Sequence, residues 1–338
     1  MMLESIWFFL WGLLWAVYFM TDGFDLGIGT LLPFLGKSEN DRRVMANAMG
    51  PLWDGNQVWL LSAGGVTFAA FPRLYAVMFS SLYSALMLIL FALILRGVAL
   101  EFRGKVDSPG WRGLWDGCIF VGSLAPALLL GVAFANIFRG IPIDQKGIYL
   151  GNLLTLLNPY GLLGGILFVL LFLVHGALWL AIRSEGDLHR RAAATAAKLW
   201  PVEVGAAVAF LAASAISTRL YENYFANPLL FAVILITVAA LFGIRLFLAR
   251  KAFFKAWAAS AVTIVGAIFY GVIGLFPNMF PSSIDPAFSL TAHNAASSQL
   301  TLTIMLVVVA IFVPIVLAYQ AWAYNLFKGK VTAEDMVY

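Results

Sequence analysis

Residues 228–251 read PLLFAVILITVAALFGIRLFLARK: no charge interrupts the chain from Asn223 to Ile244, and then Arg245, Arg250, Lys251 and Lys255 follow in close order. A helix rising about 1.5 Å per residue crosses about 30 Å of hydrocarbon in about 20 residues. Lipid offers no partner to an open backbone amide, so a run of this length must close its own hydrogen bonds as a helix. The cations at its end belong on the cytoplasmic side, where basic residues stay when short loops are inserted.

The same alternation extends in both directions along the chain. Apolar spans are predicted at 5–34, 51–71, 75–100, 114–138, 159–182, 199–217, 227–249, 257–276 and 299–324, giving an all-α integral membrane protein of nine transmembrane helices. The first is longer than one crossing and carries Asp22 and Asp25, which predicts a tilted or re-entrant end. A composition of 62% hydrophobic and 11% charged residues excludes a soluble domain. Seventeen of the 21 Lys and Arg fall in alternate flanks. The other four are Arg73, Arg139, Lys146 and Arg219, so the N-terminus is predicted outside and the C-terminus inside. The net charge of +4 belongs to this collar at helix ends, and no basic cluster is dense enough to track nucleic-acid phosphates.

The first block has no basic residues ahead of it and no small-residue cleavage site, and reads as a retained helix. The polar stretches 183–198 and 277–298 are too short for a core of their own, so residues 1–338 are read as one polytopic domain. Cys118 is alone, which excludes an internal disulfide, a CxxC pair and an all-cysteine iron–sulfur site. Gly27-Ile28-Gly29 lacks a third glycine and a preceding strand, and no Walker motif exists. The Gly23/Gly27 and Gly161/Gly165 spacings read as close helix packing. His175, His189 and His293 are scattered: the first reads as a buried group bonding a carbonyl, with haem ligation or proton carriage as the alternatives, the second as a solvated loop residue, the third as a helix-end residue. No haem axial ligand and no metal site are expected.

Carboxyls inside spans carry more information, because an unpaired carboxylate in hydrocarbon costs several kcal/mol. Asp22 and Asp25 share one face of the first helix, and Asp54 shares a face with Gln57 near the start of the second. Such groups either relay protons or hold helices together. For Asp25 and Asp54 the chemistry leaves both roles open, whereas Asp22, Glu4, Glu101, Asp116 and Glu203 read as structural.

Thr21–Gly29 (TDGFDLGIG) and Trp53–Leu60 (WDGNQVWL) form a specific pair of motifs. They are joined by Phe71-Pro72 with Tyr75, Gly131–Phe134 (GVAF), Leu157-Asn158-Pro159, Phe280–Ser283 (FPSS) and Ser297–Thr301 (SSQLT). Over essentially its whole length the chain resembles subunit II of the bacterial cytochrome bd-type quinol oxidases. The resemblance implies two four-helix bundles plus one peripheral helix, in a multi-pass protein of the bacterial plasma membrane. It implies a heterodimer with a subunit I that carries two b-type haems, a d-type haem and the quinol site, often joined by small single-helix subunits. The complex would reduce dioxygen to water, electrogenically and without pumping. In some members subunit II holds a structural quinone. Asp25 and Asp54 match carboxylates proposed for a proton path, and Trp59 matches a tryptophan near a proposed oxygen passage. Asp22, Asn56, Gln57, Ser298 and Gln299 are expected as supporting groups. A secondary transporter using intramembrane Asp residues is the alternative; it predicts paired broken helices in an inverted repeat, which the sequence does not display.

Overall fold

The computed structural model describes residues 2–331. Helix α1 (Met2–Leu35) is followed by α2 (Glu39–Met49), α3 (Trp53–Ala70), α4 (Pro72–Ser81), α5 (Tyr83–Phe102), α6 (Pro109–Arg139) and a single turn α7 (Leu153–Leu156). Then come α8 (Pro159–Arg183), α9 (Gly186–Ser217), α10 (Tyr221–Ala226), α11 (Phe231–Ala249), α12 (Phe253–Leu275) and α13 (Gln299–Leu326). Strands β1 (Asn278–Phe280) and β2 (Leu290–Thr291) make a small antiparallel hairpin before α13.

Among the described residues, 8 helices are long and apolar enough to cross a membrane. The predicted span 51–71 corresponds to α3, whose 18 residues open on Asp54, Asn56 and Gln57 and are correspondingly less apolar. The predicted span 75–100 is two helices, because the chain breaks at Leu82 between α4 and α5. Three further expectations are corrected. α1 is one unbroken helix of 34 residues, not a re-entrant one, and Asp22 and Asp25 sit within it without interrupting it. The stretch 183–198 is mostly helical, forming the polar start of α9. Residues 39–49, outside every predicted span, form α2, which Ser38 and Asp41 start with a reciprocal capping box.

α1 packs with α3, α6, α8 and α12 and stands at the centre. α1, α3, α4–α5 and α6 form one bundle, and α8, α9, α11 and α12 form the second. α13 lies outside both and touches only the α1–α3 edge at length. Lipid gives helices no hydrophobic reason to associate, so close approach of backbones must hold them. At the α1–α8 crossing a Cβ on Gly27 would stand 1.9 Å from the Phe172 carbonyl oxygen, and one on Gly176 2.7 Å from the Ile28 nitrogen. Gly131 on α6 meets Gly164 and Gly165 on α8 in the same way.

Contacts fix helix directions. Trp11 donates to Thr67 while Asn56 donates to Asp25, so α3 runs against α1. Gln299 donates to Glu4, Trp7 donates to the Leu302 carbonyl, and Phe24 meets Tyr324, so α13 runs with α1.

Candidate functional site

The α3 residues facing inward are Asn56, Trp59, Ala63, Thr67 and Ala70, spaced by three and four as a single helical stripe requires. That stripe lies on α1, and it brings the Asn56 amide to the Asp25 carboxylate: Nδ2 donates to Oδ2 at 2.7 Å. Both residues are wholly buried. The Asn56 carbonyl oxygen accepts from the Tyr324 hydroxyl at 2.9 Å and from the Gln320 amide at 3.4 Å, both on α13. Trp59 Nε1 in turn donates to Gln320 Oε1 at 2.9 Å. A polar chain therefore runs from α13 through α3 to α1 inside an apolar protein. It ends on Asp25 Oδ1, which has no hydrogen-bond partner among the described residues.

One helical turn back, Asp22 Oδ1 pairs with Arg96 of α5 at 2.7 Å, both side chains fully buried. Asp25 interacts electrostatically with both of them. One guanidinium thus faces two carboxyls.

Asp54 is not in this cluster. It occupies the first turn of α3 and is exposed, where the free N–H groups of a helix start favour an anion. Gln57, expected beside it, points its Nε2 at no partner among the described residues, and Asn56 holds the position facing Asp25. Ser298 and Gln299 lie elsewhere: Ser298 caps α13 by accepting from the Thr301 amide, and Gln299 binds Glu4. From Glu4 to Asp25 along α1 is roughly 32 Å, so these two residues do not support the Asp25 site.

The reading of Arg96 as a flank residue is corrected, since it is buried in the bundle. At the same end of the molecule Arg103, also buried, donates to Asp116 and in a fork to both oxygens of Glu39. Burial works to raise the Glu39 pKa, but the hydrogen bond and charge of Arg103, with Arg112 and Arg42 beyond it, hold it below the ordinary value. His175 uses both ring nitrogens, towards Ser260 Oγ at 3.1 Å and the Met20 carbonyl at 3.0 Å, and stacks on Trp257. His189 is half-buried, bonded to the Ala181 carbonyl and set against Phe253, which corrects its reading as a solvated residue. Glu203 is buried in the second bundle beside an apolar cavity, with no partner for either oxygen among the described residues.

Comparison with known proteins adds a family. A profile described as "Cytochrome bd terminal oxidase subunit II" matches residues 3–327. The chain is 37% identical to the cytochrome bd-I ubiquinol oxidase subunit 2 of Escherichia coli (strain K12), with 99% of this chain and 96% of that protein covered. It is 39% identical to the cytochrome bd ubiquinol oxidase subunit 2 of Bacillus subtilis (strain 168), with 99% of each covered. In fold it is similar to a chain from the structure of bd oxidase from Geobacillus thermodenitrificans, with a TM-score of 0.79 and 17% identity over 97% of this chain and 99% of that one.

Proposed function

The chain belongs to the cytochrome bd terminal oxidase subunit II family, and from that premise we propose that it carries protons towards the haems of a partner subunit I in a quinol-oxidising, oxygen-reducing complex of the bacterial plasma membrane. The partner supplies the haems and the quinol site, and this chain supplies a buried acid–amide path. The complex is electrogenic without pumping: quinol protons leave outside, and protons for water formation come from the cytoplasm.

The observation that carries this reading is the chain Tyr324–Asn56–Asp25, in which a buried carboxyl has one oxygen tethered and the other free. A group held on one side and open on the other can take and pass a proton without leaving its place. Asp54, exposed at the start of α3, is the proposed cytoplasmic entry carboxyl of the same path, with Gln57 one turn further in on its own face. Trp59 borders the seam between α3 and α13, and this lipid-facing seam is the proposed oxygen passage. Asp22 fixes Arg96 and with it the charge balance around Asp25.

The parallel course of α1 and α13 supports nine crossings, because an odd number is needed to bring the last helix into the direction of the first. That count includes α3. The density of Lys and Arg at the α2 end supports an outside N-terminus and an inside C-terminus.

The test is oxygen uptake with quinol by the purified complex carrying Asp25→Asn or Asp54→Asn. Turnover is expected to fall by about tenfold or more, with the reduced-minus-oxidised haem spectrum unchanged. Wild-type turnover in both variants rejects the relay and leaves helix packing.

A further inference from the structure

At the basic end of the second bundle a groove opens between the start of α9 and the α11–α12 turn. His189 and Arg190 line it from α9, Arg245 and Lys251 line it from α11 and the turn, and the alanines Ala193 and Ala197 leave it unfilled. Arg190 pairs with Asp187 on its own helix. The Arg245 guanidinium and the Lys251 ammonium meet no carboxylate among the described residues, and both are exposed.

The backbone beneath Lys251 sharpens the point. α11 ends with the Lys251 amide donating to the Leu248 carbonyl at 3.0 Å and the Ala252 amide to the Phe247 carbonyl at 2.9 Å. This closure places Lys251 in the left-handed region at φ 57°. Glycine occupies that position without penalty and lysine does not. The chain accepts local strain and gains a cation at the lip of the groove.

Towards the membrane interior, Phe242 of α11, three residues before Arg245, is exposed and meets Trp200 of α9 edge-on with ring centroids 5.6 Å apart. Trp200 follows Ala197 by three residues on α9 and Phe242 precedes Arg245 by three on α11, so apolar surface begins where the positive groove ends. A free anion would use only the cations. A molecule with an anionic phosphate and acyl chains uses both surfaces. We propose that this groove binds one anionic phospholipid, its phosphate against Arg245 and Lys251 and its chains along Trp200 and Phe242.

The test is native mass spectrometry of the purified complex after exchange into nanodiscs of mixed phosphatidylglycerol and phosphatidylcholine. One phosphatidylglycerol is expected to stay bound in preference to phosphatidylcholine. Arg245→Gln and Lys251→Gly are each expected to lower its retention about fivefold, and together about 25-fold, with the difference shrinking at high salt. Lys251→Gly is expected to leave the melting temperature of the complex equal or higher, because glycine suits the turn. That result separates lost recognition from lost folding. Equal retention in the double variant, equal retention of phosphatidylcholine, or displacement of the lipid by inorganic phosphate alone overturns the proposal. So does lipid binding that appears only after deletion of residues 332–338, since Glu334 and Asp335 of the chain itself would then be the groove's anions.

Discussion

Asp22 and Arg96 form the ion pair least able to reach water, and the consequence of breaking it depends on how it is broken. Removing Asp22 takes away the direct partner of Arg96 and leaves only the more distant Asp25 carboxyl as its opposite charge, at a cost of up to about 3–5 kcal/mol. Asp22→Asn is therefore expected to lower the melting temperature of the complex markedly. The double change Asp22→Leu with Arg96→Met is expected to recover much of the loss, because the pair is replaced by packing. If Asp22→Asn melts as wild type does, the pair does not hold α1 to α5. Arg96 was partly legible: an arginine inside the apolar run Tyr83–Phe102 needs an acid from another helix, but spacing alone does not say which. Asn56 and Gln57 show the same limit. Periodicity tells which residues share a face, and not which face turns to α1. Tyr324 and Gln320 were not legible as site residues, since their partner Asn56 is 268 and 264 positions away and only folding brings α13 to α3.

Helices that cross the membrane announce themselves by apolar length, and those that lie along its edge do not. This is why α2 and the polar start of α9 were read as flanks: each is short or amphipathic and gains its stability from what it touches. α2 gains part of it from Glu39. The sign follows from the lowered pKa: the contribution is full above the ordinary value of 4.5 and is lost as pH falls through the lowered one. Because Glu39 is partly exposed, the effect is small, about 1 kcal/mol at most. The melting temperatures of wild type and Glu39→Gln are expected to differ at neutral pH and to converge in acid; a gap that does not narrow as the pH falls below the ordinary carboxyl value excludes the ion pair as its source. The α1–α8 crossing is less forgiving. Gly176→Val puts a branched side chain against the α1 backbone, which has no rotamer to yield, and overpacking of this kind costs about 1–3 kcal/mol or more. Loss of co-purifying partner and haem is the expected readout, and a normally assembled Gly176→Val complex contradicts the close crossing.

Across the whole molecule the two bundles share α1, and the Asp25 cluster sits where the first bundle meets α13. The direction of each helix makes an expectation that needs no chemistry: a protease-sensitive tag after Tyr338 is cut only from the cytoplasmic side, and one before Met1 only from the outside. Both tags accessible from one face would mean an even number of crossings and would remove α3 as a span. The order in which the chain is made has its own consequence. Asn56 emerges early in translation, yet the hydroxyl and amide that satisfy its carbonyl oxygen come from Tyr324 and Gln320, near the very end. Until the ribosome has released α13, the Asn56 carbonyl oxygen stands without those two donors in the first bundle. A truncated chain keeps that defect permanently.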